Sequence, residues 1–209
     1  MRRSRGFTIV ELLIVMTLIA LIAAVAIPCL LRAQQAARQA NACSLMKTMV
    51  NHQALWRSQD LDKNGESDYW VKDVRGLYGL AGATGQPVAL LPLAVARADR
   101  SPAFAYAAPV DTTAPDKGYF VQAMTTDQGG APYVDPNLPP AAAAPAQGNC
   151  TNRGRFGFTA FPAVYARDGV SAYVVGEDGV IWEKDAGGDA LVLDRAQVDV
   201  STQWRLAGN

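Results

Sequence analysis

The sequence predicts an α+β fold in which one long N-terminal α-helix packs against a small antiparallel β-sheet head. Two observations lead to this fold class: a long helix-compatible stretch opens the chain, and later segments are rich in aromatic and β-branched residues, as strands are. We divide the 209 residues into a basic leader (1–6), an apolar helical half (7–31), an amphipathic helical half (32–59) and a globular α+β head (60–209).

The apolar half is long enough to cross a membrane. Its 25 residues contain only three strongly polar side chains, those of Thr8, Glu11 and Thr17, whereas about 20 apolar helical residues span a hydrocarbon core. The basic residues before it favour a cytoplasmic N-terminus. A secretory signal peptide would have a shorter apolar region. A plain membrane anchor leaves Glu11 unexplained, because an ionised side chain inside a bilayer costs at least about 2.5–3.5 kcal/mol.

The amphipathic half continues the same helix, because it contains neither glycine nor proline. Its apolar residues recur at spacings of three and four, and they are Ala36, Ala40, Cys43, Met46, Val50 and Ala54, with Ala42, Leu45, Met49 and Trp56 beside them. We therefore expect one helix from about Thr8 to about Ser58. Pro28 removes a backbone donor inside this helix, so we also expect a kink or local unwinding there.

The head is predicted to hold three to five antiparallel strands. Alternating aromatic and β-branched residues mark the strand candidates, which are GYFVQAM, RFGFTAFPAVYA and SAYVVGEDGVIWEK. The last segment contains a tight turn over residues 176–179 and therefore predicts a hairpin. A short helix is expected between Pro87 and Asp99, although Pro92 weakens the pattern. The segment 131–148 is rich in proline and alanine, which predicts an exposed loop.

Charge and residue inventory argue against an enzyme and against general nucleic-acid binding. The chain is neutral overall, but residues 1–59 carry a net charge of +6 and residues 60–209 carry −6. An acidic head repels the phosphates of a nucleic acid. The only histidine is His52, on the predicted helix, and the sequence contains no nucleophile elbow and no phosphate-binding loop. We therefore predict no catalytic residues.

One loop of the head has the spacing of a calcium-binding loop. Oxygen-bearing side chains occupy positions one, three, five, seven and nine of an EF-hand pattern, and they belong to Asp60, Asp62, Asn64, Glu66 and Asp68. Position twelve is Val71 instead of the usual glutamate, so Asp73 or a more distant carboxylate would have to complete the shell. Calcium is the one cofactor that the sequence suggests. The alternative is an acidic turn that ends the helix, with Gly65 in the left-handed conformation.

The start of the apolar half resembles the type IV pilin and pseudopilin family. The resemblance rests on a short basic leader ending in Gly6, followed by Phe7, by a glutamate at Glu11 and by a long apolar helix. Pro28, near the end of the apolar run, also fits the family pattern. The resemblance implies that a prepilin peptidase cuts between Gly6 and Phe7 and methylates the new amine of Phe7. It says little about the head.

The resemblance also implies a role for Glu11 in assembly. In a helical stack of such subunits, the Glu11 carboxylate of one copy can meet the Phe7 amine of its neighbour. A buried charge needs a partner, so this pair would select the axial register. The expected partners are the prepilin peptidase, copies of the same chain or other pilins, and the inner-membrane assembly machinery.

The expected function is therefore a structural subunit of a type IV pilus or pilus-like filament. Such a subunit would be a single-pass inner-membrane protein before assembly and part of a periplasmic or extracellular filament afterwards. One alternative is a minor pilin or a type II secretion pseudopilin. Another is a membrane-tethered calcium- or ligand-binding module that never polymerises.

The cysteines allow one structural prediction. In an oxidising periplasm Cys43 and Cys150 could form a disulfide that ties the proline-rich loop to the helix, and two thiols are an equal alternative. This pattern departs from pilins whose disulfide closes a C-terminal loop, so adhesion through such a loop is not implied. Cys29 lies in the apolar half and is expected to act as a small hydrophobic residue.

Overall fold

The computed structural model describes most of the chain. The described residues are 7–82, 85–102, 104, 106, 108, 110, 113–142, 148–188, 192, 194–198 and 204–208. The leader, including the predicted cleavage residue Gly6, lies outside them. The chain divides into two compact units, Met1–Ala37 and Arg38–Asn209, and each is described by itself.

Helix α1 (Ile9–Gln59) is 51 residues long and begins in the first unit. Its bounds confirm the long helix that the sequence predicts. Every side chain from Phe7 to Leu31 is exposed except Ala23, which is half-buried. This part of α1 is apolar and long enough to cross a membrane. An apolar helix without a buried face can be stable only in lipid or against other protein surfaces.

The local unwinding expected at Pro28 is absent. Pro28 lies inside α1, and the helix runs without interruption from Ile9 to Gln59. Proline removes one backbone donor and one hydrogen bond. The helix tolerates this loss because the hydrogen bonds on either side of the proline continue the same helix.

In the second unit α1 supplies one wall of the hydrophobic core. Its buried residues recur at alternating spacings of four and three, and they are Ala42, Met46, Met49, Gln53 and Trp56. The predicted stripe was partly wrong, because Ala36, Ala40 and Ala54 are exposed. Methionine and tryptophan remove far more apolar surface from water than alanine does, so these larger residues set the buried face.

Seven strands form two antiparallel sheets in the described residues. A five-stranded sheet has the order β2-β4-β5-β6-β7, and a two-stranded sheet pairs β1 with β3. The strands are β1 (Tyr69–Trp70), β2 (Tyr119–Ala123), β3 (Thr151–Asn152), β4 (Gly157–Pro162), β5 (Ser171–Gly176), β6 (Ile181–Asp185) and β7 (Arg205–Leu206). The large sheet confirms the predicted α+β class and the strands proposed in the three segments.

The centre of the large sheet is a hairpin. In its register Val174 lies opposite Thr159 of β4 and Trp182 of β6. The turn between β5 and β6 is closed by the Gly179 N–H, which donates to the Gly176 carbonyl at 3.0 Å. Gly179 has a φ of 68°, which glycine adopts without strain. All six residues of β5 are buried, so this strand lies at the middle of the core.

Two predictions about the head needed correction. The expected helix between Pro87 and Asp99 is limited to α3 (Leu93–Arg97), because Pro92 serves as its N-cap and Ala89 has a φ of 48°. A further short helix, α2 (Gly76–Gly79), follows β1. The segment 131–148 is not simply exposed, since the side chains of Tyr133, Leu138 and Ala141 are buried in the head.

Candidate functional site

Helix α1 begins with a reciprocal capping box. The backbone N–H and the hydroxyl of Thr8 both donate to Oε2 of Glu11 at 2.9 Å, and the Glu11 N–H donates to Oγ1 of Thr8 at 3.2 Å. This arrangement satisfies backbone donors that a helix N-terminus otherwise leaves without partners. Sequence reasoning missed this local role of Glu11, although the T-x-x-E spacing is the signature of a capping box.

The capping box occupies only one of the two carboxylate oxygens of Glu11. Oε2 receives both donors of Thr8, whereas Oε1 accepts no hydrogen bond from any described residue. Phe7, the residue before the cap, exposes 81% of its surface. The geometry therefore leaves one anionic oxygen for a partner from outside the chain.

A continuous apolar surface follows this cap along α1. The large hydrophobic residues between Phe7 and Leu31 expose from 47% to 85% of their surface. Soluble monomeric proteins rarely leave so much contiguous apolar area in contact with water. The surface is therefore suited to lipid or to other apolar helices.

The acidic loop, residues 60–68, joins α1 to β1 in the second unit. The Gly65 N–H donates to Oδ2 of Asp60 at 3.3 Å, and Nδ2 of Asn64 donates to Oδ2 of Asp68 at 2.9 Å. Gly65 has a φ of 83°, as the predicted turn requires. The structure thus brings Asp60, Asn64 and Asp68 into one folded loop.

The side chain of Glu66 points to a partner outside the loop. Its carboxylate forms an ion pair with Arg153, with 2.8 Å between Oε1 and Nη2. Position seven of an EF-hand loop contributes its backbone carbonyl instead of its side chain. The ion pair of Glu66 therefore leaves the loop pattern intact.

Asp62 is a fully buried carboxylate in this loop. It is 0% exposed, and neither of its carboxylate oxygens has a hydrogen-bond partner among the described residues. Burial raises the pKa of Asp62 to about 7, and the Asp68 and Asp60 carboxylates add to this rise. Burial also raises the pKa of Asp68. The folded loop therefore disfavours the ionised form of these carboxyl groups as long as no positive charge lies beside them.

The core fixes both ends of the acidic loop. Nε2 of Gln53 donates to the Trp70 carbonyl at 2.7 Å, and the Trp70 N–H donates to Oε1 of Gln53 at 3.0 Å. The ring centroids of Trp56 and Trp70 are 5.1 Å apart. In addition, the Ala142 N–H donates to the Asp62 carbonyl at 2.9 Å. These contacts anchor the loop to the core, in addition to the hydrogen bonds that the Asp60 and Asp68 carboxylates accept within the loop.

Asp73 does not complete the loop, contrary to the sequence-based expectation. Its Oδ2 accepts a hydrogen bond from the Tyr106 hydroxyl at 2.5 Å, and its Oδ1 accepts from the Gly76 N–H at 2.7 Å and from Nε1 of Trp70 at 3.3 Å. Both oxygens are therefore occupied in the core beside α2. As the side chains stand, no group of three or more His, Cys, Asp or Glu among the described residues is arranged to hold a metal ion.

The predicted disulfide is not formed in the structure, where Cys43 and Cys150 are both thiols. Cys43 lies near Lys47 and Glu183, whereas Cys150 lies near Lys72 and Asp73, so the two sulfurs have different surroundings. Burial raises the pKa of both thiols, to about 11 for Cys150, which makes them poor nucleophiles.

The single histidine, His52, shows no sign of a catalytic arrangement in the described residues. It is half-buried on α1, and burial lowers its pKa. Its Nδ1 has no hydrogen-bond partner there, so no carboxylate holds that nitrogen as the aspartate of a catalytic triad does.

Two family matches cover parts of the chain. Residues 141–205 match a family described as a protein of unknown function, DUF2950. No curated protein and no solved structure matches the chain significantly. Residues 1–27 match the family described as the prokaryotic N-terminal methylation motif, whose members are structural proteins. Since the match includes Gly6, Phe7 and Glu11, the first 27 residues of this chain carry the signal motif of type IV pilins and pseudopilins.

Proposed function

We propose that this chain is a structural subunit of a type IV pilus or pilus-like filament. It is cleaved after Gly6, methylated on the amine of Phe7, and polymerised through the apolar half of α1. The observation that carries the proposal is the exposed apolar surface of residues 7–31, which directly follows the proposed cleavage junction in the matched motif. Cleavage alone would serve a membrane anchor poorly, because the cut leaves a charged amine at the end of an apolar helix.

Before assembly the subunit is held in the inner membrane. The basic leader keeps the N-terminus on the cytoplasmic side, where prepilin peptidase acts, and the head lies on the opposite side. The apolar surface of α1 faces lipid at this stage. On assembly the same surface leaves the lipid and packs against the α1 helices of neighbouring subunits. The apolar residues therefore stay out of water in both states.

Glu11 supports this exchange through its second oxygen. Oε2 is held by Thr8, which fixes the carboxylate at the first turn of α1. Oε1 then accepts the methylated amine of Phe7 from a neighbouring subunit. The helix cap and the contact between subunits therefore use different oxygens of one side chain, and one does not exclude the other.

Mass spectrometry of the protein from its native cells tests the processing step. The mature chain should begin at Phe7 and carry one methyl group on its amine. A Gly6→Val variant is the control, because a bulky residue at the junction should block cleavage and keep the leader attached. A wild-type chain that begins at Met1, or one cut near Ala26, would contradict the proposal.

Fractionation tests the assembly step. Sheared surface filaments should contain the cleaved protein, and cells that lack the gene should lose those filaments or shed fewer of them. The number of copies per filament separates a major subunit from a minor pilin or a secretion pseudopilin. Cleaved protein found only in the membrane fraction, under conditions in which the cells make filaments, would contradict polymerisation.

A further inference from the structure

We propose that the acidic loop between α1 and β1 binds one calcium ion through oxygen atoms of Asp60, Asp62 and Asp68. The side-chain oxygen of Asn64 and the backbone carbonyl of Glu66 complete the protein's share of the shell, and water supplies the remainder. This site is independent of filament assembly, since it depends only on residues of the second unit.

The unpartnered carboxylate of Asp62 is the first argument. Both of its oxygens are buried and lack hydrogen-bond partners among the described residues, as does Oδ1 of Asp60. A buried anionic oxygen without a donor or a counter-charge is expensive in free energy. In native proteins such an atom calls for an explanation, and a bound ion is one of the recognised explanations.

The uncompensated charge of the loop is the second argument. Among the described residues, none of the three loop aspartates forms an ion pair. Of the basic side chains closest in sequence, Nζ of Lys63 donates to the Gln59 carbonyl at 3.2 Å, and Arg57 donates to the hydroxyls of Ser67 and Tyr69 instead of to a carboxylate. The loop thus gathers three aspartates without an ion-pair partner among the described residues, and a divalent cation would supply the positive charge that they lack.

The donor set selects calcium among common cations. Every candidate ligand is an oxygen, and the loop contains neither histidine nor cysteine, which zinc and copper prefer. Calcium accepts six to eight oxygens in flexible geometry, at about 2.3–2.6 Å, and water is among its usual ligands. Magnesium requires nearly ideal octahedral geometry and gives up its water reluctantly.

The loop has to rearrange in order to hold the ion, because the carboxylates of the described residues are not arranged for a metal as the side chains stand. At present Oδ2 of Asp60 accepts from the Gly65 N–H, and Oδ2 of Asp68 accepts from Nδ2 of Asn64. A divalent cation would attract the three carboxylates. Binding would also turn the Asn64 amide, whose oxygen now accepts from the Glu66 N–H at 2.8 Å, toward the ion.

Terbium provides a direct probe, because it replaces calcium in oxygen-rich sites and is excited by nearby aromatic residues. Tyr69 and Trp70 immediately follow the loop. Full-length protein in detergent micelles should show saturable terbium luminescence that calcium displaces and magnesium does not. Its melting temperature, followed by tryptophan fluorescence, should be higher in calcium than in the chelator EGTA.

Two variants that each remove one loop carboxylate form the matched comparison. Asp62→Asn should weaken terbium binding at least tenfold and abolish the difference between the two melts, while the protein stays folded because a buried charge has been removed. Glu66→Gln should bind terbium as the wild type does, because the Glu66 side chain is paired with Arg153. Asp60→Asn gives a second test of the ligand set and should also weaken binding.

Three results would overturn the proposal. Wild-type protein could show identical melts in calcium and EGTA and no saturable luminescence. Asp62→Asn could keep the wild-type affinity. Glu66→Gln could lose affinity as strongly as Asp62→Asn, which would mean that the loop attracts cations only through its net charge.

Discussion

Exchanging Glu11 for glutamine separates the two roles that the structure gives to this side chain. Glutamine serves as well as glutamate at the third helical position of a capping box, so Glu11→Gln should preserve the contact with Thr8 and the start of α1. It removes the negative charge that the neighbouring Phe7 amine requires. Thr8→Ala does the reverse, because it removes the hydroxyl bonds of the cap and keeps the charge.

The expected magnitudes of the two defects differ clearly. Removing one partner of a buried ion pair costs about 3–5 kcal/mol, which corresponds to a decrease of about two to four orders of magnitude in the association constant of each subunit. Losing a threonine cap costs about 1 kcal/mol of helix stability, and that cost falls on one helix end. Glu11→Gln should therefore nearly abolish filaments, and Thr8→Ala should leave most of the filament yield.

The assay compares the membrane fraction with the sheared-filament fraction for the wild type and both variants. Mass spectrometry of the membrane fraction first verifies that all three chains are cleaved after Gly6, because Thr8 lies close to the junction. Glu11→Val, which removes both charge and cap, should insert normally because it makes the segment more apolar, and should fail to assemble. Normal filament yield from Glu11→Gln, or an equal loss from a cleaved Thr8→Ala chain, would refute the role of the charge.

Three further predictions concern the head and use full-length protein in detergent. Gly76→Ala should destabilise the head by about 1–3 kcal/mol in denaturant unfolding, because a Cβ there would lie 2.3 Å from the Trp70 ring. Gly154→Ala is the control and should be neutral in the same assay, because open space surrounds that position. Gln53→Leu should cost about 2–5 kcal/mol in the same assay, since the buried Trp70 backbone N–H and carbonyl would lose their partners. Burial and the Asp99 charge raise the pKa of Asp73 to about 7, so between about pH 4 and pH 7 the folded state binds more protons than the unfolded chain. The free energy of unfolding should therefore fall as the pH rises through this range. Asp73→Asn should flatten that fall, and an unchanged slope would contradict this reasoning.

Helix α1 could be predicted from the sequence because its signals are local. Its length, its lack of glycine and its apolar spacing all lie within the segment itself, and the predicted bounds were within one residue of Ile9–Gln59. The buried face was harder to predict. Gln53 is 0% exposed, and its burial depends on the backbone of Trp70, which local periodicity does not reveal.

The longer strands were predictable for the same reason, whereas the two-residue strands were not. The segments of β2, β4, β5 and β6 carry enough aromatic and β-branched residues to be seen individually. Strands β1, β3 and β7 have two residues each, and they are strands only because a distant partner pairs with them. The pairing of Trp70 with Thr151 spans most of the head in sequence.

The acidic loop was only partly predictable from the sequence. Its spacing was visible in the sequence, and in the structure Asp60, Asn64 and Asp68 belong to one folded loop, where Asn64 donates to Asp68 and the Gly65 N–H donates to Asp60. The fate of Asp73 was not visible, because Tyr106, Gly76 and Trp70 occupy its oxygens only in the folded core. A ligand pattern predicts which residues share a loop, and the surrounding fold decides which of them are free to bind.

Both proposals for this chain depend on a carboxylate that needs a positive partner, but the source of that partner differs. Glu11 has one oxygen without a partner among the described residues, at the start of an exposed apolar segment, so in the proposed filament the missing charge arrives with another subunit. Asp62 is buried in the head without a hydrogen-bond partner among the described residues, so the missing charge would have to come from a bound ion. Because these residues belong to different compact units, loss of one partner should leave the other site unchanged. Filament yield and calcium response are therefore separate measurements, and a failure of either proposal does not weaken the other.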